Sequence, residues 1–194
     1  MTIIKVVLCG SPHSGKSCLR EGLKQAILRI QGAPYPYVIT ATPDGEGAWF
    51  SEAAMRDADL ARRLKEEYKA KFTPEFAQLR ASWVRNTSET LNIIDVGGKI
   101  SPENRVIMSP ATHAVILAGD MSKASAWKEF CAELGLQVIA LIHSDYEGKA
   151  DRIDTEEPLL TGSVHYLERG KDVWGRPMVQ ALARKLVRLA MVED

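Results

Sequence analysis

A stretch of eight residues near the start of the chain has the composition of a phosphate-binding loop. It spans residues 10–17 and reads Gly-Ser-Pro-His-Ser-Gly-Lys-Ser. Glycines let backbone N–H groups close around phosphate oxygens, and the N-terminus of a following helix adds the positive end of its dipole. Lys16 would reach the β- and γ-phosphates of a nucleotide, and the Ser17 hydroxyl would ligate Mg²⁺. The predicted cofactor-binding residues here are Gly10, Ser11, His13, Ser14, Gly15, Lys16, Ser17 and Cys18.

The segments on either side of the loop have the patterns that such a loop requires. The apolar run 3–9 before it predicts a buried strand. After it, apolar residues recur at helical spacing from Leu19 to Ile30. Phosphate-binding loops connect a strand to the N-terminus of a helix. The flanking patterns therefore favour a phosphate-binding loop over a turn that is rich in glycine and serine by chance. No catalytic role is predicted for His13, because this position in such a loop accepts many residues.

A second acidic candidate follows an apolar strand at 91–95. Asp95 ends that strand and is followed by Val96-Gly97-Gly98. A carboxylate there can hold Mg²⁺ opposite Ser17, and Gly98 lets the backbone pass close to a γ-phosphate. The other interpretation is that Asp95 is a capping or turn residue. With the loop at 10–17, the predicted metal ligands are Ser17 and Asp95.

The residues around Asp95 also favour one branch of nucleotide-binding proteins. ATPases of the AAA and RecA kind place a catalytic glutamate directly after this aspartate, and here the residue is Val96. Asp-Val-Gly-Gly instead looks like the Asp-x-x-Gly of kinases and GTPases. A dedicated GTPase should also carry Asn-Lys-x-Asp after a later strand, but residues 143–146 read His-Ser-Asp-Tyr. Guanine specificity is therefore not predicted.

Two carboxylates in the loop after the second predicted strand are candidates for handling an acceptor. Asp44 and Glu46 alternate with glycines there, and either could accept the proton of a substrate hydroxyl or orient it. Trp49 could stack on a planar substrate. The alternative is an ordinary Asp-Gly turn with a buried tryptophan.

Cations late in the chain complete the candidate set. The charged segment 145–160 contains Lys149 and Arg152, which could belong to a lid that closes over the phosphates; a solvated loop explains the segment equally well. Arg169 and Lys171 could border a base pocket, or be surface charge. The predicted catalytic residues are Lys16, Asp44, Glu46, Asp95 and Arg152.

Strands and helices alternate along the chain, which predicts a parallel sheet covered by helices on both faces. We expect one domain over residues 1–194, with a three-layer α/β/α P-loop NTPase fold, a mainly parallel five-stranded sheet and a kinase-like topology. That topology requires the Asp95 strand to lie beside the first strand. The predicted strands are 3–9, 37–42, 91–95, 114–118 and 138–142; a short final strand is considered at 163–167, and helices are expected at 52–70, from 73, at 123–134 and at 176–192.

Composition limits the partners. The formal net charge is zero, so no strong field favours nucleic acid or an anionic membrane. No apolar run approaches the length of a membrane span. The three cysteines lack the paired spacing of a metal site, which fits a reducing compartment. We therefore expect a cytoplasmic protein without a signal peptide.

Several motifs together resemble one kind of module. They are the loop at 10–17, Thr-Pro-Asp-Gly-Glu-Gly-Ala-Trp at 42–49, Thr-Pro-Glu-Phe at 73–76, Asp-Val-Gly-Gly at 95–98, Ala-Thr-His-Ala at 111–114, Thr-Glu-Glu-Pro at 155–158 and Leu-Glu-Arg-Gly at 167–170. The chain resembles the P-loop module, called AAA-like or kinase-like, that is often found C-terminal to a CRISPR-associated ring-nuclease-type domain of type III systems. The resemblance implies antiviral defence linked to cyclic oligoadenylate signalling. This sequence carries no nuclease-type domain, so we expect either a module that stands alone, or a ring-nuclease-type partner domain that is a separate chain or was removed.

Two functions follow as hypotheses. The first is an enzyme that transfers a phosphoryl group from ATP, with Mg²⁺, to a small-molecule or nucleotide acceptor. The second is a regulatory module that uses ATP occupancy to control a partner, with little or no turnover.

Overall fold

The computed structural model describes residues 2–43 and 72–192. Within them, seven strands form one sheet in the order β2-β3-β1-β4-β5-β7-β6. All neighbouring pairs are parallel except β6 with β7. The strands are β1 (Ile4–Cys9), β2 (Pro36–Ala41), β3 (Leu91–Val96), β4 (His113–Ala118), β5 (Gln137–Asp145), β6 (Arg152–Thr155) and β7 (Leu160–His165).

Helices cover both faces of this sheet, as predicted. Helices α1 and α5 pack on one face through side chains such as Leu23 and Leu186, and the other three pack on the opposite face through side chains such as Ile107 and Trp127. The helices are α1 (Lys16–Leu28), α2 (Pro74–Asn86), α3 (Pro102–Met108), α4 (Ala124–Glu133) and α5 (Pro177–Met191). None of the helices in the described ranges combines the length and the apolar character needed to cross a membrane.

The predicted adjacency of the Asp95 strand to the first strand is confirmed. β1 lies between β3 and β4, and Leu8 stands opposite Asp95 in the parallel register. Because parallel strands end at the same edge of a sheet, the segment after Cys9 and the segment after Asp95 emerge side by side. That edge is where a ligand can reach both.

The prediction of five strands was wrong, because residues 145–160 are not all irregular. β5 continues to Asp145, and Arg152–Thr155 forms an edge strand antiparallel to β7. Only Ile153 in β6 is partly buried, and β7 buries alternate residues among small and polar ones. Neither strand therefore has the continuous apolar run that marks the central ones.

The start of α2 was predicted from the sequence, whereas the whole of α3 was missed. The Thr73 hydroxyl accepts a hydrogen bond from the N–H of Phe76 at 3.2 Å, with proline next, as predicted. Ser101 does the same for the N–H of Asn104 at 3.2 Å and is also followed by proline. The sequence Ser-Pro-Glu therefore carried a signal for α3, but the helix has seven residues, too few for a visible periodicity.

The spacing of Phe76, Leu79 and Trp83 predicts that they share the buried face of α2, and this prediction was wrong. Leu79 and Trp83 are 52% and 48% exposed, while the buried positions are Ala77, Ala81 and Val84. The small alanines allow the helix to approach its neighbours closely. On the outer side the Arg80 guanidinium lies 4.1 Å from the Trp83 ring centre, which gives the exposed ring a stacking partner.

We predict that Gly162→Ala disrupts the outer part of the sheet. Gly162 has φ +148°, and a Cβ there would lie 2.0 Å from the Arg152 carbonyl oxygen on β6. Backbone strain and the clash together should lower the free energy of unfolding by on the order of 3 kcal/mol. Gly135→Ala is the control, because Gly135 also has a positive φ but no atom lies within 4 Å; its cost should be about 1 kcal/mol. Equal losses in urea denaturation of the two variants would contradict the steric argument.

Candidate functional site

The loop at 10–17 connects the end of β1 to the start of α1 at the carboxyl edge of the sheet. Its shape depends on residues in the left-handed region: Gly10 has φ +131°, His13 has φ +59° and Gly15, the N-cap of α1, has φ +81°. A Cβ at Gly10 would lie 1.9 Å from the Leu117 carbonyl oxygen on β4. The neighbouring strand thus makes glycine obligatory where the loop begins.

Lys16 places a positive charge inside this loop. The residue is only 8% exposed, and its Nζ donates to the carbonyl oxygens of Gly10 at 3.1 Å and Ser11 at 2.8 Å. These bonds hold the ammonium group against the first residues of the loop. The loop therefore surrounds the Lys16 ammonium group, and this cation is suited to binding phosphate oxygens.

Other donors of the loop also face the site where a ligand would bind. The first N–H groups of α1, beginning at Lys16, have no carbonyl partner within their own helix. The Ser14 hydroxyl is 2% exposed and has no hydrogen-bond partner among the described residues. An unpaired buried polar atom is costly, so a ligand oxygen here would satisfy it. These donors are typical of a loop that binds an anionic group rather than of an ordinary turn.

Asp95 lies below the loop, in contact with α1. Its Oδ2 accepts a hydrogen bond from the Ser17 hydroxyl at 3.1 Å, so the structure brings the two predicted metal ligands together. Arg20 Nη1 lies 3.4 Å from the same oxygen and 3.3 Å from the Thr40 hydroxyl on β2. Because Asp95 is almost fully buried, these contacts compensate for the removal of its charge from water.

Arg20 is a functional candidate that the sequence reasoning missed. It stands three residues after Ser17 on α1, so the two side chains share a helix face. That spacing was a usable signal once Ser17 was assigned. The contact to Thr40 depends on the packing of α1 against β2, which no local pattern reports.

Gly98 touches the loop itself. A Cβ at Gly98 would lie 2.7 Å from both the Cα and the backbone nitrogen of Pro12, so only a glycine permits this approach. The preceding and following carbonyls, of Gly97 and Lys99, accept hydrogen bonds from the Asn104 side-chain amide at 3.0 and 2.7 Å. The segment after Asp95 is thereby attached to the loop on one side and to α3 on the other.

Two cavities open beside the loop. One, of about 300 Å³, is lined by residues that include His13, His143, Asp145 and Tyr146. The other, of about 380 Å³, is lined by Cys18 and by both predicted base-pocket cations, Arg169 and Lys171. The neighbouring residues Leu167 and Glu168 border different cavities, Leu167 the first and Glu168 the second.

The cysteines differ in their surroundings. Cys9 and Cys131 are buried with their sulfurs 3.8 Å apart, whereas Cys18 is half-buried, and none forms a disulfide. Hydrogen bonding to Cys131 and burial raise the pKa of Cys9. Burial also raises the pKa of Cys18, although the nearby Arg169 and Arg20 oppose the shift. Both shifts favour the neutral thiol at Cys9 and Cys18. The hydrogen bond with Cys9 instead lowers the pKa of Cys131.

Not all candidates meet at this site. Asp44, Glu46 and Trp49 lie outside the described residues. Arg152 is not part of a lid: it lies on edge strand β6 and its Nε is 2.7 Å from the Asp154 carboxylate. β6 is the fourth strand from β1, about 19 Å away at ordinary strand spacing. The structure therefore does not bring Arg152 to the phosphate loop, because its segment is part of the sheet.

Comparison with known proteins supports the fold. No family model matches the chain, and neither does any curated protein. A crystal structure of a protein described as a plasmid partition protein from Borrelia burgdorferi B31, bound to AMPPNP, superposes with a TM-score of 0.60 over 98% of this chain and 100% of that one, at 12% identity. The chain has a P-loop NTPase fold. A sugar kinase from Janibacter sp. HTCC2649 is matched over 98% of this chain and 99% of that one, with a TM-score of 0.34 and 14% identity.

We predict that Gly98→Ala lowers the free energy of unfolding by about 1–3 kcal/mol, because the new methyl group would collide with backbone atoms of Pro12. Gly119→Ala is the control at the same sheet edge, since its nearest atom would be 3.9 Å away. Thermal denaturation of both variants measures the difference. Similar melting temperatures for the two would show that the contact between Gly98 and the loop does not constrain the protein.

Proposed function

We propose that this protein binds ATP with Mg²⁺ at the loop 10–17 and transfers the γ-phosphoryl group to a small-molecule or nucleotide acceptor. The 3.1 Å contact between the Ser17 hydroxyl and the Asp95 carboxylate carries the proposal. It puts a hydroxyl and a carboxylate together beneath a phosphate loop, which is the oxygen ligand pair of nucleotide-bound Mg²⁺ in P-loop NTPases. The shared fold with a protein bound to AMPPNP supports the choice of an adenine nucleotide.

The loop supplies the binding of the phosphates. Helix N–H groups and the Ser14 hydroxyl would donate to phosphate oxygens, and Lys16 would neutralise charge on the two outer phosphates. Gly98 would bring a backbone N–H to the terminal phosphate from the opposite side. These groups are fixed by the sheet before any ligand arrives, which is how P-loop enzymes stabilise charge during transfer.

Ser17 and Asp95 fit a magnesium ion. Among the described residues no group of three or more His, Cys, Asp or Glu side chains could hold a metal, so the remaining ligands would be phosphate oxygens and water. Bound Mg²⁺ would withdraw charge from the phosphates. Arg20 would have to share or release the Asp95 oxygen that it now contacts.

One observation favours the second candidate function, a regulatory module with slow turnover. The residue after Asp95 is Val96, which lies in β3 and is 1% exposed, where a hydrolytic AAA- or RecA-type ATPase has its catalytic glutamate. No base for attack by water is therefore offered at this position. ATP occupancy could still be signalled through the segment at 97–99.

The resemblance of the motifs supports a role in CRISPR-linked antiviral defence in the cytoplasm. A ring-nuclease-type protein is the partner proposed on that ground. Sedimentation of this protein with such a nuclease, with and without ATP, tests it: the two should co-sediment, and separate boundaries under both conditions would remove the partner from the proposal.

We predict that Lys16→Ala weakens ATP binding about 10- to 100-fold in a protein that still folds, because a charge-assisted contact of about 1.5–3 kcal/mol is lost. Calorimetry with Mg-ATP measures the affinity. Lys24→Ala, on the same helix, is the control and should bind as the wild type does. Unchanged ATP affinity in a folded Lys16→Ala protein would refute the assignment of the loop.

We predict that Asp44→Asn and Glu46→Gln leave ATP affinity nearly unchanged and lower turnover by about 10²–10⁴. Groups that orient an acceptor or take its proton act mainly in the transition state. ADP formation with a panel of metabolites and nucleotides, together with ATP affinity and melting temperature, tests this. A drop in stability with unchanged specific activity would assign both residues to the turn instead. Absence of turnover with every acceptor would favour the regulatory function.

A further inference from the structure

Asn104 is a buried residue whose side-chain nitrogen makes two hydrogen bonds while its side-chain oxygen makes none. It lies on α3 and is 0% exposed. Its Nδ2 donates to the carbonyl oxygens of both Gly97 and Lys99. Its Oδ1 is buried and has no hydrogen-bond partner among the described residues. An unpaired buried acceptor disfavours folding, and an apolar side chain would avoid that cost. We therefore ascribe the role of this side chain to the two carbonyl groups that its nitrogen binds.

The two bonds fix the orientation of the segment between these carbonyls. In a trans peptide the N–H points opposite to the preceding C=O. Because the Gly97 carbonyl faces Asn104, the N–H of Gly98 faces away from α3. Gly98 also rests against the backbone of Pro12. One buried amide thus sets which way the donor of Gly98 is presented at the edge of the phosphate loop.

We propose that Asn104 is a positioning residue through which the site binds a nucleoside triphosphate more tightly than a diphosphate. The inference rests on the proposed function. Gly98 abuts residues 11 and 12, at the beginning of the loop, whereas the first turn of α1 holds the inner phosphates. The N–H of Gly98 therefore serves the terminal phosphate, and Asn104 keeps it in place without touching the nucleotide.

The test compares affinities for AMPPNP and ADP, with Mg²⁺, in wild type and Asn104→Leu. Leucine keeps the buried volume and removes the donor. AMPPNP affinity should fall about tenfold or more, the worth of one hydrogen bond to a charged group, while ADP affinity changes less than about twofold.

Asn92 provides a matched control, because it lies near the start of β3, at the end opposite to Asp95 and the phosphate loop. It is also 0% exposed, and its Nδ2 donates to two carbonyls, of Ile4 at 3.2 Å and Glu89 at 2.7 Å. Asn92→Leu should lower the melting temperature but leave the ratio of AMPPNP to ADP affinity unchanged. A merely structural role for Asn104 would make the two variants behave alike.

The outcomes separate the inference from the proposed function. If Asn104→Leu lowers the affinity for AMPPNP and for ADP equally, or lowers neither, the inference is overturned, whereas the proposed nucleotide binding is unaffected. If the wild type binds neither nucleotide, the proposed function fails and the inference with it.

A second measurement does not depend on the variant folding. In the wild type, amide hydrogen exchange of residues 98–100 should be slower with AMPPNP than with ADP. Equal exchange with the two nucleotides would overturn the inference.

Discussion

The parallel pairing of β3 with β1 is the constraint on which the site depends. It sets Asp95 opposite Leu8, two residues before the loop begins, so the carboxylate lies beneath the first turn of α1. Every residue of β3 is buried, and a charge there needs partners. Ser17 and Arg20 on α1 supply them. Slipping the register by one residue would turn Asp95 to the other face of the sheet and leave the loop without a carboxylate.

Close backbone contacts then determine the shape of the loop from outside. At Gly10 the loop meets a carbonyl of β4, and at Pro12 it meets Gly98. Both contacts join backbone to backbone, and such contacts cannot be adjusted by changing a rotamer. The conformation of the phosphate loop is therefore set by its neighbours on two sides as well as by its own glycines.

What could be predicted from the sequence follows from how local each signal is. The loop, its flanking strand and helix, and the cap at Thr73 depend on residues that are close in the chain, and they were predicted. The pairing of Ser17 with Asp95 was also predicted, because parallel strands share an edge. The positions of Arg20 and Arg152 were not: one contact requires the packing of α1 against β2 and β3, and the other residue lies on an edge strand with almost no apolar pattern. Asn104 could not be recognised before α3 was known, since its bonds reach back to a loop whose course depends on the whole sheet.

The Arg20 guanidinium beside Asp95 would affect the binding of the Mg²⁺ ion proposed for this site. With that cation in place, the charge of the buried carboxylate is already compensated within the protein. Binding of the proposed Mg²⁺ would then exchange one positive charge beside Asp95 for another. The free energy of that exchange would be smaller than the attraction of the ion to a bare carboxylate, so metal binding would depend on the phosphates that arrive with the ion.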